Sequence, residues 1–324
     1  MLNALAQTLP TLALLTPPQL AEYDALVPGA IVCVTALLVI LVDVFHKVDT
    51  SRGYLAYLSA IGLGVAILSC YMLWGDSLDR AAFHGMLYLD KFTLIFSGLA
   101  CASGILAMLM APRYLRHHSM DRGEFYMLIL FSVAGVIFIA GAADLLTFFV
   151  GFEVMSIPIY VIAGFLRKDS RSAEASMKYF VLGAFSAALM LYGIALIYGV
   201  TGTTNLEYIG SILSKLFEDP ATTVAGGPAI MVVFAVLLIL SGFAFKVASV
   251  PFHLWTPDVY TGSPTPGVGF MATAVKAGAF AAMIRVFTLA FDASHLRGGF
   301  FGLGWVDVLL VIAELAAEDV HPSP

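Results

Sequence analysis

The chain has 324 residues, of which 60% are apolar and only 12% charged, with a formal net charge of −6. That balance excludes an ordinary soluble domain. The sixteen Lys and Arg are scattered between hydrophobic runs rather than gathered on one basic face, which excludes nucleic acid as a partner.

Residues 1–24 are mildly apolar, carry no Lys or Arg and hold Pro10, Pro17 and Pro18. They lack the basic start of a secretory signal, so targeting is expected to rest with the membrane spans. A hydrocarbon core of about 30 Å takes roughly twenty apolar residues of helix. Runs of that kind predict spans near 25–45, 54–74, 92–111, 124–141, 143–166, 176–200, 229–249 and 267–291, with a shorter ninth at 304–317. The longest loop, roughly 201–228, is polar and glycine-rich, with room for a short surface helix. Cys33, Cys70 and Cys101 each sit inside an apolar run without the C-x-x-C spacing of thiolate metal sites, and are expected to be small buried residues.

Basic residues are retained on the cytoplasmic side and count most in short loops. With the N-terminus outside, the inner loops and their edges hold Lys47, Arg52, Arg113, Arg116, Arg122, Arg167, Lys168, Arg171 and Lys178, while the outer ones hold Arg80, Lys91, Lys215 and Arg297. Nine against four places the N-terminus on the periplasmic side or its equivalent.

A charge at the middle of a span costs from about 3 to over 10 kcal/mol, so each one needs a partner, a water-filled cavity or a task. Glu153 lies in the fifth span with no charged neighbour for eight residues on either side, Lys246 lies in the seventh, and Lys276 is near the centre of the eighth. A lysine near a helix end can reach water along its stem and need do nothing more. A buried acid and two buried lysines on separate helices also form a set able to hold and pass protons.

Between the two lysines, Pro251, Pro257, Pro264 and Pro266, with Gly262, Gly267 and Gly269, interrupt what would be two long apolar helices. Proline lacks a backbone donor and frees the carbonyl a turn earlier, and such groups persist at membrane depth only where protein or a water-lined cavity receives them. The expected form is a helix broken beside a polar site, with Pro251 freeing the carbonyl of Val247 and admitting water beside Lys246. Broken helices next to ion sites mark transporters built of inverted repeats. An ordinary re-entrant loop would show the same turn residues. His253 and Asp258 share this stretch, and His253 is suited to relay a proton near neutral pH.

The runs Gly151–Pro158 (GFEVMSIP), Ala175–Ala184 (ASMKYFVLGA), Phe245–Tyr260 (FKVASVPFHLWTPDVY) and Gly262–Gly267 (GSPTPG) resemble the subunit N family of proton-pumping NADH-quinone oxidoreductase, respiratory complex I. The resemblance covers residues from about 20 to 312. More distantly, the chain is similar to the large subunits of multisubunit cation/proton antiporters. The resemblance implies an all-α polytopic membrane protein, an antiporter-like bundle in which helices 4–8 and 9–13 form two inverted repeats. On that pattern the chain divides into an N-terminal segment 1–24, helices 1–3 over 25–111, helices 4–8 with a broken helix 7 over 112–291, and a partial helix 9 with an atypical tail over 292–324. The first repeat is present and the second largely missing. The family continues for more than a hundred residues beyond Pro324, and Glu314, Glu318 and Asp319 stand where it has an apolar helix, so a C-terminally truncated form is expected.

Carried over by position, Glu153 matches the family's glutamate on helix 5, Lys246 its lysine on broken helix 7, Lys276 its lysine on helix 8 and Lys178 a lysine at the start of helix 6. The relay expected from this is Glu153, Lys246 and Lys276, with Lys178 and His253 secondary: ionised Glu153 holds the ammonium of Lys246 until the pair is separated and the proton passes toward Lys276. The resemblance implies no cofactor and no metal in this chain. NADH, FMN, iron–sulfur clusters and quinone are expected in partner subunits, and the partners are the other membrane subunits of the complex and the bilayer. The implied location is the bacterial inner membrane. The other readings are a subunit of a cation/proton antiporter and a non-pumping scaffold.

Overall fold

In lipid an apolar run has only its own backbone with which to hydrogen-bond, so each span closes on itself as a helix. The computed structural model describes residues 20–45, 51–75, 80–218 and 227–291. A 3-10 segment, Leu20–Leu26, leads into α1 (Val27–Val44) and α2 (Gly53–Leu73). A hairpin of β1 (Arg80–Ala82) and β2 (Leu87–Leu89) follows, with Ala81 opposite Tyr88. Then come α3 (Lys91–His117), α4 (Gly123–Gly141), α5 (Leu145–Ala163), α6 (Ser170–Thr201) and α7 (Leu206–Glu218). The chain closes with α8 (Gly227–Val247), the short α9 (Thr256–Gly262) and α10 (Thr265–Leu289), the last containing a π-helical turn at Met271–Val275.

Among the described residues eight helices are long and apolar enough to cross a membrane. They are the eight longer expected spans; the ninth, 304–317, lies outside the described residues. The chain is a multi-pass membrane protein, and α7 takes the place foreseen for a surface helix. Leu37, Leu41, Ile61, Leu106, Val150 and Phe185 are among the large apolar side chains left exposed on the bundle, as a lipid-facing surface requires. Cys70 and Cys101 are buried and Cys33 is half-buried.

Consecutive spans alternate in direction, so Arg52, Arg113, Arg116, Arg122, Arg167, Lys168 and Arg171 fall at one end, here called the basic end. At the other end the turns are knitted by backbone: Ala143 N–H donates to Met86 O (2.9 Å), Leu206 N–H to Ala143 O (3.0 Å) and Leu145 N–H to Thr204 O (2.8 Å). Three helices start on aspartate caps readable as such: Asp90 accepts from Thr93 N, Asp144 from Leu146 N, and Asp169 from Arg171 N. α4 is the central helix, buried along most of its length against α1, α3, α5 and α10. Its Gly135 is what lets α5 approach, because a Cβ there would overlap the backbone of Met155. That contact sets the position of the α5 residues described next.

The break after α8 differs from expectation. The helix ends at Val247, four residues before Pro251, in a closed terminus: Ala248 N–H donates to Phe245 O (3.2 Å) and Ser249 N–H to Ala244 O (2.8 Å), with Ala248 left-handed at φ 62°. Trp255 Nε1 also donates to Phe245 O (3.0 Å). The terminal carbonyls of Ala244 and Phe245 are thus received by protein groups; they are not the Val247 carbonyl that Pro251 is expected to free.

Candidate functional site

The cap at Asp144 sets the phase of α5, and about two turns on it places Phe152, Ser156 and Tyr160 at i, i+4 and i+8, along one face. Lys246, in the last turn of α8, points at that face and is only 1% exposed. Its Nζ donates to Ser156 Oγ (2.7 Å), and Ser156 Oγ in turn donates to Phe152 O. The hydroxyl's own proton is therefore committed to the backbone, and a lone pair faces the ammonium.

Three rings complete the surroundings. Nζ lies 5.3 Å from the centroid of Phe152, 5.4 Å from Tyr160 and 5.6 Å from Tyr179 of α6. Ring faces attract a cation, by about 2 kcal/mol or more where water is excluded. Tyr179 is stacked on Trp255 at 4.5 Å and 14°, and Trp255 is the residue that binds Phe245 O. The broken helix and the lysine cage are one construction.

The other expected residues occupy distinct positions. Glu153 is half-buried one residue along α5 from Phe152 and lines an apolar groove of about 370 Å³ with Phe131, Phe149, Val154 and Ile157. Its buried Oε1 has no hydrogen-bond partner among the described residues, and no ion pair joins it to Lys246. It remains within electrostatic reach of that lysine. The direct contact expected between them is taken by Ser156. Lys276 is half-buried at the end of the π turn, a helical irregularity frequent at functional sites, with Nζ 6.0 Å from the ring of Tyr260. Lys178 lies nearer the surface, where it pairs with Glu174 (2.6 Å) and Asp258 and so tethers α9 to α6. His253 is half-buried in the turn before α9, its carbonyl accepting from Thr256 N (2.9 Å).

Sequence reasoning did not find Ser156, Tyr160, Tyr179 or Trp255, nor Arg285. That arginine, 7% exposed, donates to Ala140 O, Asp90 Oδ1 and Thr93 Oγ1, and its guanidinium lies over the rings of Tyr88 and Phe92. It fastens α10 to α3 and α4 at the end opposite the basic one. The signal was available, since Arg285 is a charge inside the eighth span. Among the described residues no group of three or more His, Cys, Asp or Glu is placed to hold a metal ion.

Comparison with known proteins agrees with this architecture. The chain is 41% identical over 297 residues to NADH-quinone oxidoreductase subunit N of Trichlorobacter lovleyi, covering 92% of this chain and 57% of that one. It is 42% identical over 310 residues to NADH-quinone oxidoreductase subunit N 1 of Sorangium cellulosum, covering 91% and 59%. Among solved structures, a chain of respiratory complex I from Thermus thermophilus with bound aureothin superposes with a TM-score of 0.63 at 34% identity, covering 80% of this chain and 53% of that one. The chain thus spans somewhat more than half the length of these relatives. A family profile described as NADH:quinone oxidoreductase/Mrp antiporter, transmembrane, matches residues 142–317, a stretch that holds the cage, the broken helix, Lys246 and Lys276. The chain belongs to the NADH:quinone oxidoreductase/Mrp antiporter membrane-protein family.

Proposed function

We propose that this chain is the proton-conducting part of a membrane-arm subunit of NADH-quinone oxidoreductase in a bacterial inner membrane. In this reading NADH is oxidised and quinone reduced in partner subunits, which hold the FMN and iron–sulfur clusters, and this chain couples that reaction to proton translocation. The observation that carries it is Lys246: a fully enclosed ammonium with one neutral oxygen acceptor and three ring faces, and no counter-ion in contact among the described residues. A charge held that way is stable only while the field around it is favourable. The groove at Glu153 gives that field an adjustable source, since its buried Oε1 has no hydrogen-bond partner among the described residues and the carboxylate lines an open groove.

The cycle proposed has Glu153 ionised while Lys246 carries its proton. When a change in the neighbouring subunit neutralises or withdraws the carboxylate, the ammonium loses support and gives up its proton in the direction of Lys276. Lys178 and His253, on the basic-end side, are secondary sites through which the proton is replaced. Moving one proton against about 180 mV takes about 4 kcal/mol, at about 2.3 kcal/mol per 100 mV. That is the worth of one buried, charge-assisted contact made and broken per cycle.

The test is Lys246→Met and Glu153→Gln in the full-length protein within its assembled complex, with proton transport and NADH oxidation measured together. Transport should fall at least about tenfold in both, a barrier change of about 1.4 kcal/mol or more, while the complex still assembles. Normal pumping by Lys246→Met across several pH values would refute this function.

A further inference from the structure

The short helix α9 carries a feature that the family assignment leaves without a role. Thr256 Oγ1, Tyr260 Oη and Ser263 Oγ are buried side-chain atoms that have no hydrogen-bond partner among the described residues. Their positions are i, i+4 and i+7, which puts the three hydroxyls in one row along one face of α9 and its first residue beyond. A buried hydroxyl left unpaired is destabilising by about 1–3 kcal/mol, and native proteins carry few of them. Three in a row on a seven-residue helix therefore need a reason.

The ends of the row show what it connects. At one end Thr256 follows Trp255, whose indole lies on Tyr179 of the lysine cage. At the other, Ser263 follows Gly262, which rests on the backbone of Arg171 at the basic end. In the middle, the Tyr260 ring lies 6.0 Å from Lys276 Nζ and 6.0 Å from the Trp255 ring. Among the described residues the Lys276 ammonium has no hydrogen bond or ion pair, and the Tyr260 ring is the aromatic face of α9 that it lies over.

Resting on the function proposed above, we propose that the Tyr260 hydroxyl, with Thr256 and Ser263 on either side, is the proton-transfer group that serves Lys276. The Cβ atoms of residues one helical turn apart are about 5–6 Å from each other, and water molecules bridge polar groups too far apart for a direct hydrogen bond. In the step proposed, a proton-bearing water donates to Tyr260 Oη as that oxygen releases its own proton to a second water, which passes one of its protons to the neutral amine of Lys276. One O–H bond forms and one breaks at the tyrosine, one N–H bond forms at the lysine, and Tyr260 is neutral before and after. The hydroxyls are unpaired because their partners in the working cycle are mobile ones.

Tyr260→Phe removes the hydroxyl and keeps the ring that faces Lys276. Measured in the full-length protein within its complex, driven proton transport should fall at least about tenfold, the factor given by about 1.4 kcal/mol of added barrier. Thermal stability should stay the same or rise, because an unpaired buried polar atom has been removed. Thr256→Val and Ser263→Ala should lower transport by smaller factors, and the solvent deuterium isotope effect on transport should increase in Tyr260→Phe. Wild-type transport in Tyr260→Phe would overturn the proposal, and so would a loss of transport that only tracks a loss of stability. Lys246→Met is measured alongside: if it too pumps normally, the proposed function fails, and if it is inactive while Tyr260→Phe is normal, only the hydroxyl row fails.

Discussion

An ammonium almost out of contact with water must draw from its surroundings what hydration would have given it. For Lys246 those surroundings are one serine oxygen and three rings. A hydrogen bond to a charged group contributes about 1.5–3 kcal/mol, so Ser156→Ala should destabilise the protein by about that amount, read as a lower midpoint of thermal unfolding. Ser156→Thr retains the hydroxyl and should restore both stability and proton transport. If Ser156→Ala melts and transports like wild type, the ring faces alone hold the charge. The expectation that Glu153, Lys246 and Lys276 form the polar set came directly from sequence, because a charge inside an apolar run is conspicuous. Ser156 was not conspicuous. Hydroxyls in membrane helices commonly bond the carbonyl four residues back, as Ser59 does to Leu55 O and Ser97 to Thr93 O, and Ser156 does the same to Phe152 O. Only the lysine ninety residues away distinguishes it, and no local pattern records that.

At the scale of elements, the apolar runs located every described span, and the larger errors fell beyond the hydrocarbon. The apolar run of the third span ends at Ala111, yet α3 continues through Pro112 to His117, because a helix that emerges into the headgroups no longer needs apolar side chains. α6 likewise starts at Ser170, before its apolar run. The hairpin and the π turn left no readable trace, the first for being two three-residue strands and the second for having ordinary helical composition. The broken helix was legible as a break, but the hydrogen bonds that close it at Ala248 and Ser249 were not. Prolines are easy to see, whereas a left-handed Ala248 closing the helix carries no signal, since glycine is the usual residue there. An L-residue in that conformation costs about 1 kcal/mol relative to glycine, so Ala248→Gly should raise stability by about that much. Pro251→Ala, by contrast, should leave the end of α8 in place, because the closing hydrogen bonds are made at Ala248 and Ser249. Hydrogen exchange over residues 243–256 distinguishes these outcomes: an increase in protection at 247–251 in Pro251→Ala would mean that the proline, after all, ends the helix.

For the molecule as a whole, the direction of the chain through the membrane follows from few charges. Spans alternate, and Arg52, Arg113, Arg116, Arg122, Arg167, Lys168 and Arg171 share one end, so the positive-inside rule assigns that end to the cytoplasm. The opposite end is closed by the hairpin, by the turns bonded to it and by Arg285 with Asp90. Proton uptake through α9 from the cytoplasm requires this orientation, because Gly262 and Ser263 lie beside Arg171 at the basic end. The reverse orientation would turn the uptake route into a release route. Single cysteines at Arg116, Arg171 and Tyr208 decide the matter, in a background where Cys33, Cys70 and Cys101 are replaced by alanine. Arg171 and Tyr208 are 78% and 66% exposed, so a charged, membrane-impermeant maleimide reaches either from its own side. In intact cells the reagent should label Tyr208→Cys and spare the other two, and in inverted vesicles it should label Arg116→Cys and Arg171→Cys and spare Tyr208→Cys. The opposite pattern would place the basic end outside and remove the cytoplasmic uptake route. Labelling of all three from one side would mean that α6, the one span between Arg171 and Tyr208, does not cross, and the alternation on which both ends are defined would fail.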